Sequence, residues 1–242
     1  MEKYNVEYTP KIKICGIRSL EDIAILNEFQ PDFAGFVLAP SKRKVTINEL
    51  KILIASLDKK ILPVGVFVNQ DPEYVVQAVE AGLQVLQIHG DETRAYMQKL
   101  RELMESKYSP RKIMIWKAIR VGSENAGPVT RNEFQDCVDG FIVDKYDPLT
   151  YGGTGETFDW NLVKSPEKDL CGNLLKRSFG EIPMILAGGL TENNVQLAMS
   201  TLHPYCLDVS SSVETEGRKD RDKIQRFIDC IRSYSPRNSP WH

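Results

Sequence analysis

A thiol, an imidazole, two carboxylates and a guanidinium stand at the ends of short apolar runs in this chain. Cys15 lies in IKICGI (12–17), His89 in VLQIHG (85–90), Asp144 closes GFIVD (140–144), Asp208 opens DVSSS (208–212), and Arg43 follows FAGFVLA (33–39) in SKRKV. Thiols and carboxylates whose surroundings shift them can pass protons near neutral pH, and a guanidinium can hold a carboxylate through two parallel bonds. A second set has a different use. LAGGL (186–190), DVSSS and GGTG (152–155) supply Gly and Ser, which let a backbone approach an anion closely and offer it N–H and hydroxyl donors. Acid–base work on a phosphorylated substrate is the chemistry these residue types allow.

Taken singly, each has a plainer reading. A strand Cys is usually a small buried hydrophobe, an Asp at a strand end a loop cap, a lone buried His a satisfied core residue, and an Arg in SKRKV a solvated turn. What changes this is position. Eight Val/Ile/Leu-rich runs, IKICGI, FAGFVLA, LPVGVFV, VLQIHG, IMIWKAI, GFIVD, PMILAGG and LDVSSS, start at 12, 33, 62, 85, 113, 140, 183 and 207. Continuous apolar runs of strand length at helix-sized intervals are the pattern of a parallel sheet buried on both faces, and eight of them predict one closed (β/α)8 TIM barrel. In such a barrel the C-terminal ends of all strands meet at one mouth. Cys15, Arg43, His89, Asp144, Gly155, Gly189, Asp208 and Ser210–Ser212 would then share one site, with the phosphate held by Gly and Ser after the seventh and eighth strands.

Helix-start signals follow the strands. Ser19 with Asp22 and Thr46 with Glu49 form potential capping boxes, and Asp71-Pro72 pairs an N-cap with a first-turn proline before a helix ending near Gly82. Asp91, Thr191 and Asp220 are the caps expected for the later helices, the last of which places Ile224, Phe227, Ile228 and Ile231 on one face. The interval between the sixth and seventh strands, 43 residues, predicts an extended functional loop over Tyr146–Phe158 and an elongated helix within 161–182.

Residues 1–242 are expected to form a single barrel domain, with 1–10 a short lead-in and 233–242 a solvated tail. At 42% apolar and 26% charged the chain has an ordinary globular composition, and 31 basic against 33 acidic residues give no field that would draw in nucleic acid or a membrane surface. No apolar stretch reaches a membrane span, and Met1–Pro10 lacks the order of a signal peptide, so a cytoplasmic location is expected. Five scattered cysteines, without a C-x-x-C pair, predict free thiols and no metal site.

KICGIRSLED (13–22), GFVLAPSKRKVT (35–46), VGVFVNQ (64–70), LQIHGDE (86–92), GGTGETFDW (152–160), LAGGLTENNV (186–195) and LDVSSSVETEGRKD (207–220) together resemble the phosphoribosylanthranilate isomerase family, in that family's order. The resemblance implies a (β/α)8 barrel and a cofactor-independent Amadori rearrangement of N-(5-phosphoribosyl)anthranilate to an aminoketose phosphate in tryptophan biosynthesis. It implies Cys15 as the base and Asp144 as the acid, with Asp147 the rival carboxyl. Arg43 would bind the anthranilate carboxylate, Asp208 the substrate's amine or sugar hydroxyls, and His89 would line the pocket. Gly155, Gly189, Ser210 and Ser211 would bind the phosphate. Ser212 stands where the family often has glycine, and could crowd the phosphate or add a bond to it. A monomer or a homodimer is expected.

Two other readings compete. A histidine-pathway sugar isomerase performs the same rearrangement on a substrate with two phosphates, but it resembles a barrel with two aspartates as acid and base, and the IHGDE end of the fourth strand lacks a second Gly/Ser phosphate signature. A non-catalytic barrel that binds a phosphorylated metabolite would not need the Cys15/Asp144 pair.

Overall fold

A computed structural model describes residues 9–121, 133–145 and 182–234. All eight expected strands are present: β1 (Lys11–Cys15), β2 (Phe33–Val37), β3 (Leu62–Phe67), β4 (Val85–Ile88), β5 (Met114–Val121), β6 (Gly140–Lys145), β7 (Met184–Leu186) and β8 (Cys206–Val209). Each pairs in parallel with the next, and β8 returns to β1 in the register Lys13↔Asp208, closing the barrel. The runs are continuously apolar because alternate residues serve different cores. Phe33, Val64, Val85, Trp116, Ile142, Ile185 and Cys206 fill the barrel interior, where the Phe33 and Trp116 rings meet edge-on at 5.0 Å. Their neighbours Ile14, Phe36, Leu86, Ile115, Phe141, Leu186 and Leu207 belong to the larger core that includes the helices' apolar faces.

Around the sheet lie α1 (Leu20–Phe29), α2 (Ile47–Ser56), α3 (Pro72–Glu80), α4 (Arg94–Tyr108), α5 (Val195–Leu202) and α6 (Arg221–Arg232). The two capping boxes at Ser19 and Thr46 form, and Asp71 and Asp220 cap α3 and α6. The four apolar residues of α6 are all buried.

Two caps differ from expectation. Asp91 does not cap α4. Its carboxylate pairs with Arg120 and its N–H donates to Asn69 Oδ1, so the helix begins later, with Thr93 Oγ1 accepting from Tyr96 N. Thr191 does not cap α5 either. Its N–H donates to Asn194 Oδ1 while Asn194 Nδ2 donates to the Gly189 carbonyl, and this closed turn delays the helix to Val195. The loop and helix expected between β6 and β7 lie outside the described residues, as do Cys171, Asp147 and Gly155. No helix among the described residues is long and apolar enough to cross a membrane.

Candidate active site

Alternation along β1 turns Lys13 and Cys15 to the same face, into the barrel. Lys13 is fully buried, and its Nζ donates to Asp208 Oδ2 at 2.7 Å across the β1–β8 pairing. Gly35 on β2 makes room for the thiol: a Cβ there would stand 2.8 Å from Cys15 Sγ and 3.0 Å from its Cα. Burial pushes the thiol up, Lys13 pulls it down, and Asp208 raises it. Burial works against the Lys13 charge as well, but Asp208 and Cys15 outweigh that cost and hold the lysine protonated. Asp208 is pushed up by burial and pulled back by Lys13.

Asp144 ends the barrel-facing side of β6 and is buried, its Oδ1 accepting from Lys145 N at 2.8 Å. Its other oxygen, Oδ2, lies 3.3 Å from His89 Nε2, too poorly aligned for a hydrogen bond. Gln87, two residues before His89 on the same face of β4, places its Nε2 2.9 Å from His89 Nδ1. With that amide orientation Nδ1 accepts, and the ring proton sits on Nε2, toward Asp144. The Asp144 charge raises the Asp208 carboxyl and His89 lowers it, so β4, β6 and β8 converge on one region. Gly188 is required beside it: its φ is +83° and a Cβ would meet Asp144 Oδ1 at 2.8 Å. Three buried polar atoms, Gln87 Oε1, His89 Nε2 and Asp208 Oδ1, have no hydrogen-bond partner among the described residues. Buried polar groups of this kind are normally satisfied.

Arg43 reaches the mouth from the segment after β2, its stem crossing Gly16, where φ is +86° and a Cβ would strike Arg43 Cδ at 2.5 Å. The guanidinium is buried, and its Nε and Nη2 donate to Glu214 Oε1 and Oε2, both at 2.7 Å. Glu214 begins a short hairpin after β8 (Glu214–Thr215 with Arg218–Lys219). Lys219 Nζ returns from it to Glu214 Oε1 at 2.9 Å and to the Ser210 carbonyl at 3.0 Å. Burial favours the neutral acid of Glu214, but Arg43 and Lys219 prevail and hold it at about 2. Burial also lowers Lys219, with Glu214 opposing.

Gly188 and Gly189 both adopt positive φ at the end of β7. Ser210 and Ser211 follow β8, with the Ser210 hydroxyl donating to the Cys15 carbonyl at 3.0 Å. Ser212 donates to the Leu190 carbonyl, which ties the β8 end to the β7 end. Cys15, Arg43, His89, Asp144, Gly189, Asp208, Ser210 and Ser211 thus all follow or end barrel strands at one mouth, while Gly155 lies outside the described residues. Among the described residues, the other thiols, Cys137, Cys206 and Cys230, are free. No group of three or more His, Cys, Asp or Glu among the described residues is placed to hold a metal.

Lys13, Gln87, Glu214 and Lys219 were not singled out from the sequence. The period-2 pattern could have found the first two, since a residue two before Cys15 or His89 must share its face. For Glu214 no local signal points to the site, because its partner Arg43 is 171 residues away, and Lys219 joins the cluster only through Glu214.

Residues 12–230 match the family model described as N-(5'-phosphoribosyl)anthranilate isomerase. A relative of that description from Thermoanaerobacter pseudethanolicus is 41% identical over 92% of this chain and 98% of its own length. Another, from Acetivibrio thermocellus, is 42% identical over 91% and 95%. Among solved structures, phosphoribosyl anthranilate isomerase from Thermus thermophilus superposes with a TM-score of 0.72 at 30% identity, covering 92% of this chain and 98% of that one. One solved in complex with reduced 1-(o-carboxyphenylamino)-1-deoxyribulose 5-phosphate gives 0.71 at 30% identity, covering 93% and 100%.

Proposed function

The chain belongs to the N-(5'-phosphoribosyl)anthranilate isomerase family of tryptophan biosynthesis, and we propose that Cys15 and Asp144 are the base and acid of its aldose–ketose rearrangement. In this reading Asp144, protonated, gives its proton to the ribose ring oxygen, and the ring opens to a Schiff base. The Cys15 thiolate then removes the C2 proton, leaving an enolamine that tautomerises to the ketone. His89, 3.3 Å from Asp144, stands next to the acid. Gly35 and Gly188 keep the space around the two reacting groups free of side chains.

Binding is divided among the other mouth residues. The Arg43 edge carrying Nη1 and Nη2 remains for the anthranilate carboxylate, since Glu214 takes Nε and one Nη2 hydrogen. Asp208 Oδ1, buried and without a hydrogen-bond partner among the described residues, suits the substrate's amine N–H. Gly189, Ser210 and Ser211, with Gly155, are the proposed phosphate donors. The assembly is proposed to be a monomer or a homodimer. A Thermotoga maritima relative is described as dimeric.

The observation that carries the assignment is the placement of a thiol on β1 and a carboxyl at the end of β6 around Asp208. The protein is to be mixed with freshly prepared phosphoribosylanthranilate and the decay of substrate fluorescence followed. Rapid loss in the wild type, abolished in Cys15→Ser and in Asp144→Asn, is expected. Turnover at the wild-type rate in either variant would overturn the roles given to them.

A further inference from the structure

A charged residue in a barrel floor requires a reason. The inward positions of the lower layers are apolar or small, with Phe33, Val64, Val85, Trp116, Ile142 and Ile185 in contact. Yet Lys13, fully buried, sits on the same face of β1 as Cys15 and is bonded to Asp208 at 2.7 Å. A buried ion pair gains little over well-packed apolar side chains, because both charges must be taken out of water. Stability alone is a weak explanation for placing it there.

We propose that Lys13 is a positioning residue for the rearrangement: its ammonium is the fixed positive charge that supports the Cys15 thiolate and anchors Asp208 Oδ2, leaving Oδ1 for the substrate. The proposal rests on the reading of Cys15 as the base. Four charged groups act on the thiol from the elements around it: Lys13 from its own strand, Asp208 from β8, Lys219 from the hairpin and Arg43 from the segment after β2. Lys219 and Arg43 share one carboxylate, Glu214, and both are bonded to it. Lys13 is therefore the cation that acts most strongly on Cys15, through its charge. Asp208 opposes it, so the pair sets the thiol between two influences of opposite sign.

The opposition gives the test. Alkylation of Cys15 by iodoacetamide is followed against pH, using the mass of the Cys15 peptide, in the wild type, Lys13→Met, Lys13→Arg and Asp208→Asn. The midpoint should rise by about one pH unit or more in Lys13→Met, where an opposite charge at close range is lost. It should stay near the wild-type value in Lys13→Arg. In Asp208→Asn it should fall, because the thiolate becomes the ammonium's own counter-ion. An unchanged midpoint in folded Lys13→Met, or a rise in Asp208→Asn, overturns the proposal; should Lys13→Met not fold, the sign in Asp208→Asn decides. The alkylation readout does not depend on turnover, so failure of Cys15 as the base, shown by an active Cys15→Ser, is recognised separately. If both readings hold, the alkaline rise of kcat/KM moves with the alkylation midpoint in every variant that retains measurable activity.

Discussion

Arg43 and Glu214 meet side-on through two hydrogen bonds of 2.7 Å, so the guanidinium is fixed before any substrate carboxylate reaches it. A planar fork held along one edge can offer only its other edge, and this restricts both where and in which plane a benzoate can dock. Arg43→Ala should lower kcat/KM by about 2–4 kcal/mol, chiefly through KM, since a charge-assisted bidentate contact is lost. A ligand lacking the carboxylate should bind the wild type poorly and lose little more in the variant. Equal losses for both ligands would mean that Arg43 only supports its loop.

Cys15→Ser should reduce kcat by roughly 10²–10⁴-fold, the usual cost of removing an acid–base group. Cys137 and Cys230 should be replaceable by Ala with turnover intact. Cys206 lies in the inner barrel core, so Cys206→Ala should lower the Tm without a comparable loss of kcat. Steady-state rates and thermal melts of the single variants separate these outcomes.

Asp144→Asn keeps the shape of the side chain and removes its transferable proton. Turnover should collapse while the melting temperature and the affinity for a product analogue survive. Asp147→Asn is the control, because Asp147 is the other carboxyl of the same region of sequence. A mild Asp144→Asn and a damaging Asp147→Asn would reverse the assignment.

Gly35→Ala probes the space around the thiol. The added methyl would meet Cys15 Sγ at 2.8 Å and the Cys15 backbone at 3.0 Å, and the backbone cannot rotate away as a side chain can. Displacing a reacting atom by about 1 Å can cost up to about 10²-fold in rate. A kcat within twofold of the wild type, with a crystal structure showing Cys15 unmoved, would show that the strand adjusts instead.

The barrel was legible because its cause is local: each strand is apolar on both faces, so each is written as a continuous run, and every run matched a strand. The residues proposed as acid, base and phosphate donors stood out as candidates because Cys15, Asp144, Gly189, Ser210 and Ser211 lie at the ends of those runs. Lys13 and Asp208 form a pair only after 195 residues of chain have closed the barrel, and no spacing within either segment announces it. The caps expected at Asp91 and Thr191 do not form, and the helices start at Arg94 and Val195, for a related reason. The Asp91 carboxylate is drawn to Arg120, and the Thr191 N–H is held by the Asn194 side chain in a turn that Asn194 also ties to the Gly189 carbonyl.

The Arg43–Glu214–Lys219 cluster also predicts how stability should depend on pH. The Glu214 carboxyl sits at about 2 in the fold against an ordinary 4.5, so between these values the unfolded chain binds a proton that the folded chain does not. The stabilisation is therefore present above about pH 4.5 and is lost as the pH falls through 4.5 toward 2. Other depressed carboxyls, Asp139 and Asp220 among them, act in the same direction, so the total acid dependence identifies no single group. The comparison with Glu214→Gln does. Its Tm should lie below that of the wild type at pH 7, and the gap should narrow as the pH falls from 4.5 to 2. A gap that stays constant over this window would mean that Glu214 is not held ionised by its two partners, and that Arg43 owes its position to packing across Gly16.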